Sequence, residues 1–223
     1  MNFNIQAELN HGKLEVTVST NESGLEGGLQ VQILSSDQIV QSENIEDGVL
    51  EPSKPYVCSF PLPVSDVLAS LALTVNLTRH NDIVTSSVMN FRRGDRDCRP
   101  IVYSNLRPEG KRIQGWVVQI PSNEPRISLF VNGEHTETNS PNSKRSDIEK
   151  LYPETSNVKN GFGFGVPNLC YDGCKHEFLV IEEKSLTIAE NSPKILSAID
   201  FHDALTRRWN TIMNNVSDRM GRA

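Results

Sequence analysis

Cys170, Cys174 and His176 are the grouping in this chain whose residue types and spacing come nearest to a metal site. On an extended segment Cys174 and His176 share a face, and Cys170 could swing in from a preceding turn to give three ligands. A structural zinc takes four, and the closer paired spacing of zinc knuckles is absent. The expectation is therefore no metal, with core thiols beside one partly exposed histidine. A Cys170 to Cys174 disulfide across a hairpin is the alternative, which a reducing compartment disfavours. With Cys58 and Cys98 there are four cysteines, too few and too irregular for a disulfide framework in 223 residues.

Nucleophilic catalysis needs a serine or cysteine in a sharp elbow and a histidine backed by a carboxylate. No Gly-x-Ser-x-Gly occurs, and the histidines at 11, 80, 135, 176 and 202 fall in unrelated loops and strand ends. Gly161-x-Gly-x-Gly165 lacks the following helix and the Lys-Ser/Thr of a phosphate-binding loop. The acidic pairs Asp147 with Glu149 and Glu182 with Glu183 read as solvated residues. The expectation is a chain with no catalytic activity and no cofactor. Binding residues are easier to nominate. A sugar site uses an aromatic face plus a few orienting polar groups, and Trp116, Arg145, Asp147 and Tyr152 supply both kinds. Against each stands a structural reading: tryptophan at a strand start is core, and Arg145 with Asp147 clamps a loop to Tyr152 or to backbone carbonyls.

These residues need elements to hold them, and the pattern is that of strands. Residues 13 to 20 alternate apolar and polar with Leu14, Val16 and Val18 inward, and residues 29 to 34 do the same with Leu29, Val31 and Ile33. Further strands are read at 38 to 41, 56 to 60, 71 to 77 and 83 to 91. Pro52, Pro55, Pro61 and Pro63 flank the fourth and suit an edge or loop-bounded strand, because proline cannot donate to a ladder. Gly161, Gly163 and Gly165 alternate with Phe162 and Phe164. One face of that strand is thus large and the other bare, open to another backbone or a flat ligand. Asn132-Gly133 marks a turn with positive φ.

Strands at that frequency without long intervening helices predict an all-β fold: two tandem antiparallel, immunoglobulin-like sandwiches at 1–98 and 99–196. The charged, Gly-containing run Arg92 to Arg99 is read as the linker. A weak internal repeat supports the pairing. Leu29 to Leu34 leads to Phe60-Pro-Leu-Pro and Ser86 to Phe91, as Ile127 to Val131 leads to Phe164-Gly-Val-Pro and Asn191 to Leu196. Residues 197–223 change character. Leu205, Trp209, Ile212, Val216 and Met220 recur at helical spacing, an apolar stripe on an amphipathic helix that Gly221 would stop. That stripe must fold back, pair with a second copy or lead into a further domain. The net charge of −6 argues against nucleic acid and anionic membranes as partners. No apolar run reaches the ~20 residues of a membrane span, and Met1 to Gln6 lacks the basic start of a secretory signal. A cytoplasmic location is expected, and the sequons at Asn21, Asn76 and Asn215 are then chance matches.

Gly115-Trp116-Val117, Phe130-Val-Asn-Gly133, Arg145-x-Asp147-Ile148, Gly161-Phe-Gly-Phe164, Leu169 with Asp172-Gly173, His176-x-Phe178 and Ser192-Pro193 make residues 113–196 resemble a known module. It is a small β-sandwich accessory module attached to bacterial glycosyltransferases and other proteins of surface-polysaccharide synthesis. The chain departs from that pattern at Val117, where alanine is usual, and in the polar stretch Glu134 to Ser143. The resemblance implies a non-catalytic partner of glycan assembly that contacts a glycan or a glycosyltransferase. The alternative expectation is a structural or assembly protein, a phage or surface component, that oligomerises through its C-terminal helix.

Overall fold

The computed structural model describes residues 3–21, 28–45, 50, 52, 54–94, 103–104, 107–109, 112–118 and 124–220. Only the backbone is described at 103–104, 107–109, 204–205 and 215–220. The Cys98 thiol, the greater part of the 92–99 stretch read as a linker, and Gly221 fall outside the described residues. The chain is mostly β, with sheets in a sandwich-like arrangement and one long C-terminal helix. It divides into two compact units: Met1–Arg93 with Gly133–His135 and Glu183–Thr187, and the remaining segments from Gly94 onward.

The first unit holds β1 (Phe3–Asn10), β2 (Lys13–Thr20), β3 (Leu29–Ser35), β4 (Gln38–Asn44), β5 (Tyr56–Pro61), α1 (Val64–Ser70), β6 (Ala72–Arg79), β7 (Asp82–Asn90) and the two-residue β8 (Arg92–Arg93). Its sheets run β1-β2-β5 and β4-β3-β6-β7, all pairings antiparallel. Alternation does what a two-faced strand requires: Leu14, Val16 and Val18 of β2 are buried, as are Leu29, Val31 and Ile33 of β3 and Leu73, Val75 and Leu77 of β6. Proline-flanked β5 is an edge strand among the described ones.

Two elements here are absent from the sequence reading. β1 has only Ile5 and Leu9 as large buried residues, with small Ala7 between them, so its apolar signal is diluted by Asn, Gln and Glu. α1 buries Val64 and Val67 on one side, and Leu71 closes it in the left-handed region (φ 56) with its N–H on the Val67 carbonyl. A helix of seven residues carries too few periods to separate from a strand by pattern. Asn76 is buried, so that sequon is unreachable in the folded chain.

The second unit contains β9 (Tyr103–Ser104), β10 (Arg107–Glu109), β11 (Arg112–Val118), β12 (Ile127–Val131), all but the first two residues of β13 (Glu134–Asn139), α2 (Ser146–Leu151), β14 (Gly161–Gly165), β15 (Lys175–Glu182), the second residue of β16 (Thr187–Ile188), β17 (Lys194–Ser197) and α3 (Ala198–Met220). One sheet centres on β11, which pairs β14 on one side and β10 and β9 on the other. In another, β12 lies between β13 and β15, with β17 on the far side of β15. Ile113, Val117, Leu129, Phe162, Phe164, Phe178 and Val180 form the core. The polar stretch at 134–139 is a strand, β13, and the Arg145 turn opens into α2. Asn132 and Gly133 make the β12 to β13 turn with φ of 52° and 85°, as that dipeptide demands.

The start of α3 is fixed by two devices. Asp200 accepts the Ser197 backbone N–H (2.7 Å) and hydroxyl (2.9 Å), the reciprocal half of a capping box. Leu196 and Phe201, on either side of the cap, are both buried in the core and staple the chain's entry. Hydrogen bonds from Ser197 hold the Asp200 carboxyl below its ordinary range.

A candidate polar groove on the glycine face of β14

Strand register decides what faces what. Arg112, Gln114 and Trp116 of β11 lie opposite Gly165, Gly163 and Gly161 of β14, so the three side chains share the face on which β14 has none. The other face goes to the core: Phe162 and Phe164 stack at 5.6 Å between centroids, and Gly115 leaves the position opposite Phe162 without a side chain.

The glycine face is covered at one end and open at the other. Trp116 is only 8% exposed, packed with Val118, Ile148 of α2 and the half-buried Tyr152, whose ring centroid is 6.3 Å away. Gly161 admits the chain at 142–143, which pairs with it through Gly161 N to Ser143 O (2.8 Å) and Asn142 N to Gly161 O (2.9 Å). A Cβ at Gly161 would collide with the Ser143 hydroxyl. At Gly163 a Cβ would meet only ordinary contacts, 3.6 Å to the Ile113 carbonyl oxygen, and at Gly165 nothing within 4 Å. Beside the covering 142–145 segment runs a groove of about 240 Å³, lined by Arg112, Gln114, Asn142, Ser143, Arg145 and the β14 backbone from Gly161 to Gly163.

Arg145 caps α2 through its carbonyl, which accepts the Ile148 and Glu149 N–H groups. Its side chain forks onto Asp147, Nε to Oδ1 at 2.9 Å and Nη2 to Oδ2 at 2.7 Å. That bidentate contact holds the Asp147 carboxyl down to about 2. The four nominated residues are thus brought together around α2 in different roles. Trp116 and Tyr152 form a small secondary core with no open ring face from Trp116, and Arg145 with Asp147 makes a rim. Arg145 clamps Asp147. Arg112, Gln114, Asn142 and Ser143 were missed. The signal existed in two places, Arg-x-Gln-x-Trp at 112–116 and Gly-x-Gly-x-Gly at 161–165, but only the register joins them.

The cysteine and histidine cluster is a structural clamp. The Glu177 N–H donates to Asn132 Oδ1 (3.0 Å), which turns the Asn132 amide N–H toward His176 Nδ1 (2.9 Å). Nδ1 therefore accepts, the ring proton is assigned to Nε2, and Nε2 donates to Asp172 Oδ1 (2.9 Å), which also takes the Cys174 N–H (2.8 Å). His176 and then Cys174 lower the Asp172 carboxyl's pKa. The sequence expectation is corrected here: His176 is buried and Cys174 exposed, because the hairpin turns the imidazole inward onto Asn132. Cys58, Cys170 and Cys174 are free thiols. Burial pushes Cys58 up to about 12 and raises Cys170 as well.

Glu182 and Glu183 are also corrected, being buried instead of solvated. Each accepts a backbone N–H in place of water: Arg126 N to Glu182 Oε1 at 3.2 Å, and Gly12 N to Glu183 Oε1 at 2.7 Å. On α3, Trp209 (63% exposed), Ile212 (47%) and Met213 (46%) are open, whereas the side chains of Leu205, Val216 and Met220 lie outside the described residues. No described helix is long and apolar enough to cross a membrane.

No protein-family model matches the chain, and no curated protein matches it significantly. Among solved structures it is similar to the fibronectin(III)-like modules of Clostridium thermocellum CbhA. Identity is 9%, with 87% of this chain and 91% of that one covered at a TM-score of 0.25. It is also similar to a two-domain fibronectin type-III segment of chicken tenascin, at 8% identity, 88% and 97% coverage and a TM-score of 0.25.

Proposed function

We propose that the chain is a non-catalytic accessory protein of bacterial surface-glycan synthesis, working in the cytoplasm as a carbohydrate-binding module. Its two units are read as tandem immunoglobulin-like sandwiches. The observation that carries the reading is the groove. A side-chain-free floor at Gly163, continued by Gly161, lets a flat ring approach the sheet, and Arg112, Gln114, Asn142, Ser143 and Arg145 surround it with planar and hydroxyl groups suited to ring hydroxyls. The resemblance of residues 113–196 to glycosyltransferase-attached modules points the same way.

Gly163→Ala tests the reading with little risk to folding, because its Cβ meets only ordinary contacts and the backbone there is not left-handed. On a glycan microarray the native chain should retain saccharides and Gly163→Ala should lose them. A native chain that retains none, or a variant that binds as well as the native chain, overturns it.

A second reading, assembly through α3, is favoured by the exposed Trp209, Ile212 and Met213, which are spaced as one stripe of an amphipathic helix. Sedimentation of native chain and Trp209→Glu with Ile212→Glu tests it. A native oligomer that the double variant dissolves supports it, and a native monomer ends it.

A further inference from the structure

We infer that the groove takes an acidic saccharide, a hydroxyl-rich ring whose carboxylate is held by Arg112 while Gln114, Asn142 and Ser143 meet its hydroxyls. The inference rests on the carbohydrate reading and narrows it. The chain as a whole carries −6, yet the lining of this groove contains two guanidinium groups, Arg112 and Arg145, and no carboxylate among the described residues. A neutral sugar needs neither cation. Arg145 is engaged through its fork with Asp147, which fixes its position on the wall. Arg112 is exposed at the open end opposite Gly165, where nothing stands within 4 Å of the space a Cβ would fill. A carboxylate entering over Gly165 therefore reaches a planar fork of donors without displacing a side chain of β14. At about 240 Å³ the groove is smaller than the ~300 Å³ at which pockets for drug-sized ligands begin, which suits one sugar residue at a time.

The test uses a glycan microarray carrying uronic-acid oligosaccharides, their carboxyl-reduced neutral counterparts and phosphorylated glycans. It probes native chain, Arg112→Gln and Gly163→Ala. The expected result is retention of the uronic-acid oligosaccharides at least roughly tenfold over the reduced ones. Arg112→Gln should abolish the preference, and Gly163→Ala should lose both ligands. Equal retention of acidic and reduced sugars overturns the acidic class and leaves the carbohydrate reading standing. Retention of phosphorylated glycans alone overturns the carboxylate. Retention of uronic-acid sugars unaffected by Arg112→Gln or Gly163→Ala overturns the site, and no retention of any glycan ends the carbohydrate reading itself.

Discussion

The two ends of the β11 and β14 face begin from the same arrangement, a polar-to-aromatic run on one strand opposite bare glycines on the other, and finish differently. At the Gly161 end the missing side chains admit protein: residues 142–143 pair onto the strand and α2 closes over Trp116. At the Gly165 end no described atom stands within 4 Å of the space a Cβ would fill, and Arg112 is left exposed with Gln114 half-buried beside it. A glycine in a strand is thus ambiguous between close packing and vacancy, and the neighbour's side chain settles which. A large ring demands a cover because its apolar area must leave water, whereas guanidinium and amide groups do not.

The contrast is broken most severely at the covered end. Trp116→Ala should remove about 3–5 kcal/mol of stability in urea denaturation, by emptying the space between β11 and α2. Arg112→Ala, two turns of the pleat away on the same face, should stay within about 0.5 kcal/mol. Equal effects would mean that α2 does not shield Trp116 and that the two ends are alike.

The glycines give the next largest difference. Gly161→Ala places a methyl group against the Ser143 hydroxyl and the Arg145 side chain, so the 142–145 segment must shift, at a cost of about 1–3 kcal/mol. Gly165→Ala meets nothing and should be close to neutral. Thermal melts of the two variants measure the comparison directly, and a neutral Gly161→Ala would refute the close approach there.

Much of this was legible beforehand, and the residues show why. β2 and β3 declare themselves through strict alternation of Leu, Val and Ile, and Asn132-Gly133 declares its turn because two successive positive φ values favour that dipeptide. The bare face of β14 was readable from its glycines alone. What covers it was not, since α2 is six residues long and buries one of them, Ile148, too little for a periodic signal. The groove's own residues come from segments brought together by pairing across long sequence distances, and no local pattern encodes that register. The buried Glu182 and Glu183 misled for a related reason: a carboxylate that accepts a distant backbone N–H has the same sequence appearance as one in water.

His176 offers a comparable test away from the groove. Asn132→Ala removes the acceptor of the Glu177 N–H and the donor to Nδ1 together, and should cost about 1–3 kcal/mol because a buried imidazole nitrogen is left unpaired. Asp172→Asn, which replaces an exposed partner, should cost less. A chemical-denaturation series of the two, with the reverse ranking, would move the clamp's weight from Asn132 to Asp172.

The smallest effect distinguishes the rim from the wall of the groove. Asp147 has a folded-state value near 2 against an ordinary carboxylate value of about 3.9, so its pairing with Arg145 stabilises the folded chain above pH ~4 and is lost as pH falls through 2. The carboxylate is exposed, so solvent screening limits the contribution to about 0.2–1 kcal/mol. A double-mutant cycle of Arg145→Ala and Asp147→Asn, run at pH 7 and again near pH 2, should show this coupling at the first pH and little at the second. A coupling that persists in acid would mean that Arg145 is held by other contacts of the 142–145 segment, and that the wall of the groove does not depend on the rim pair at all.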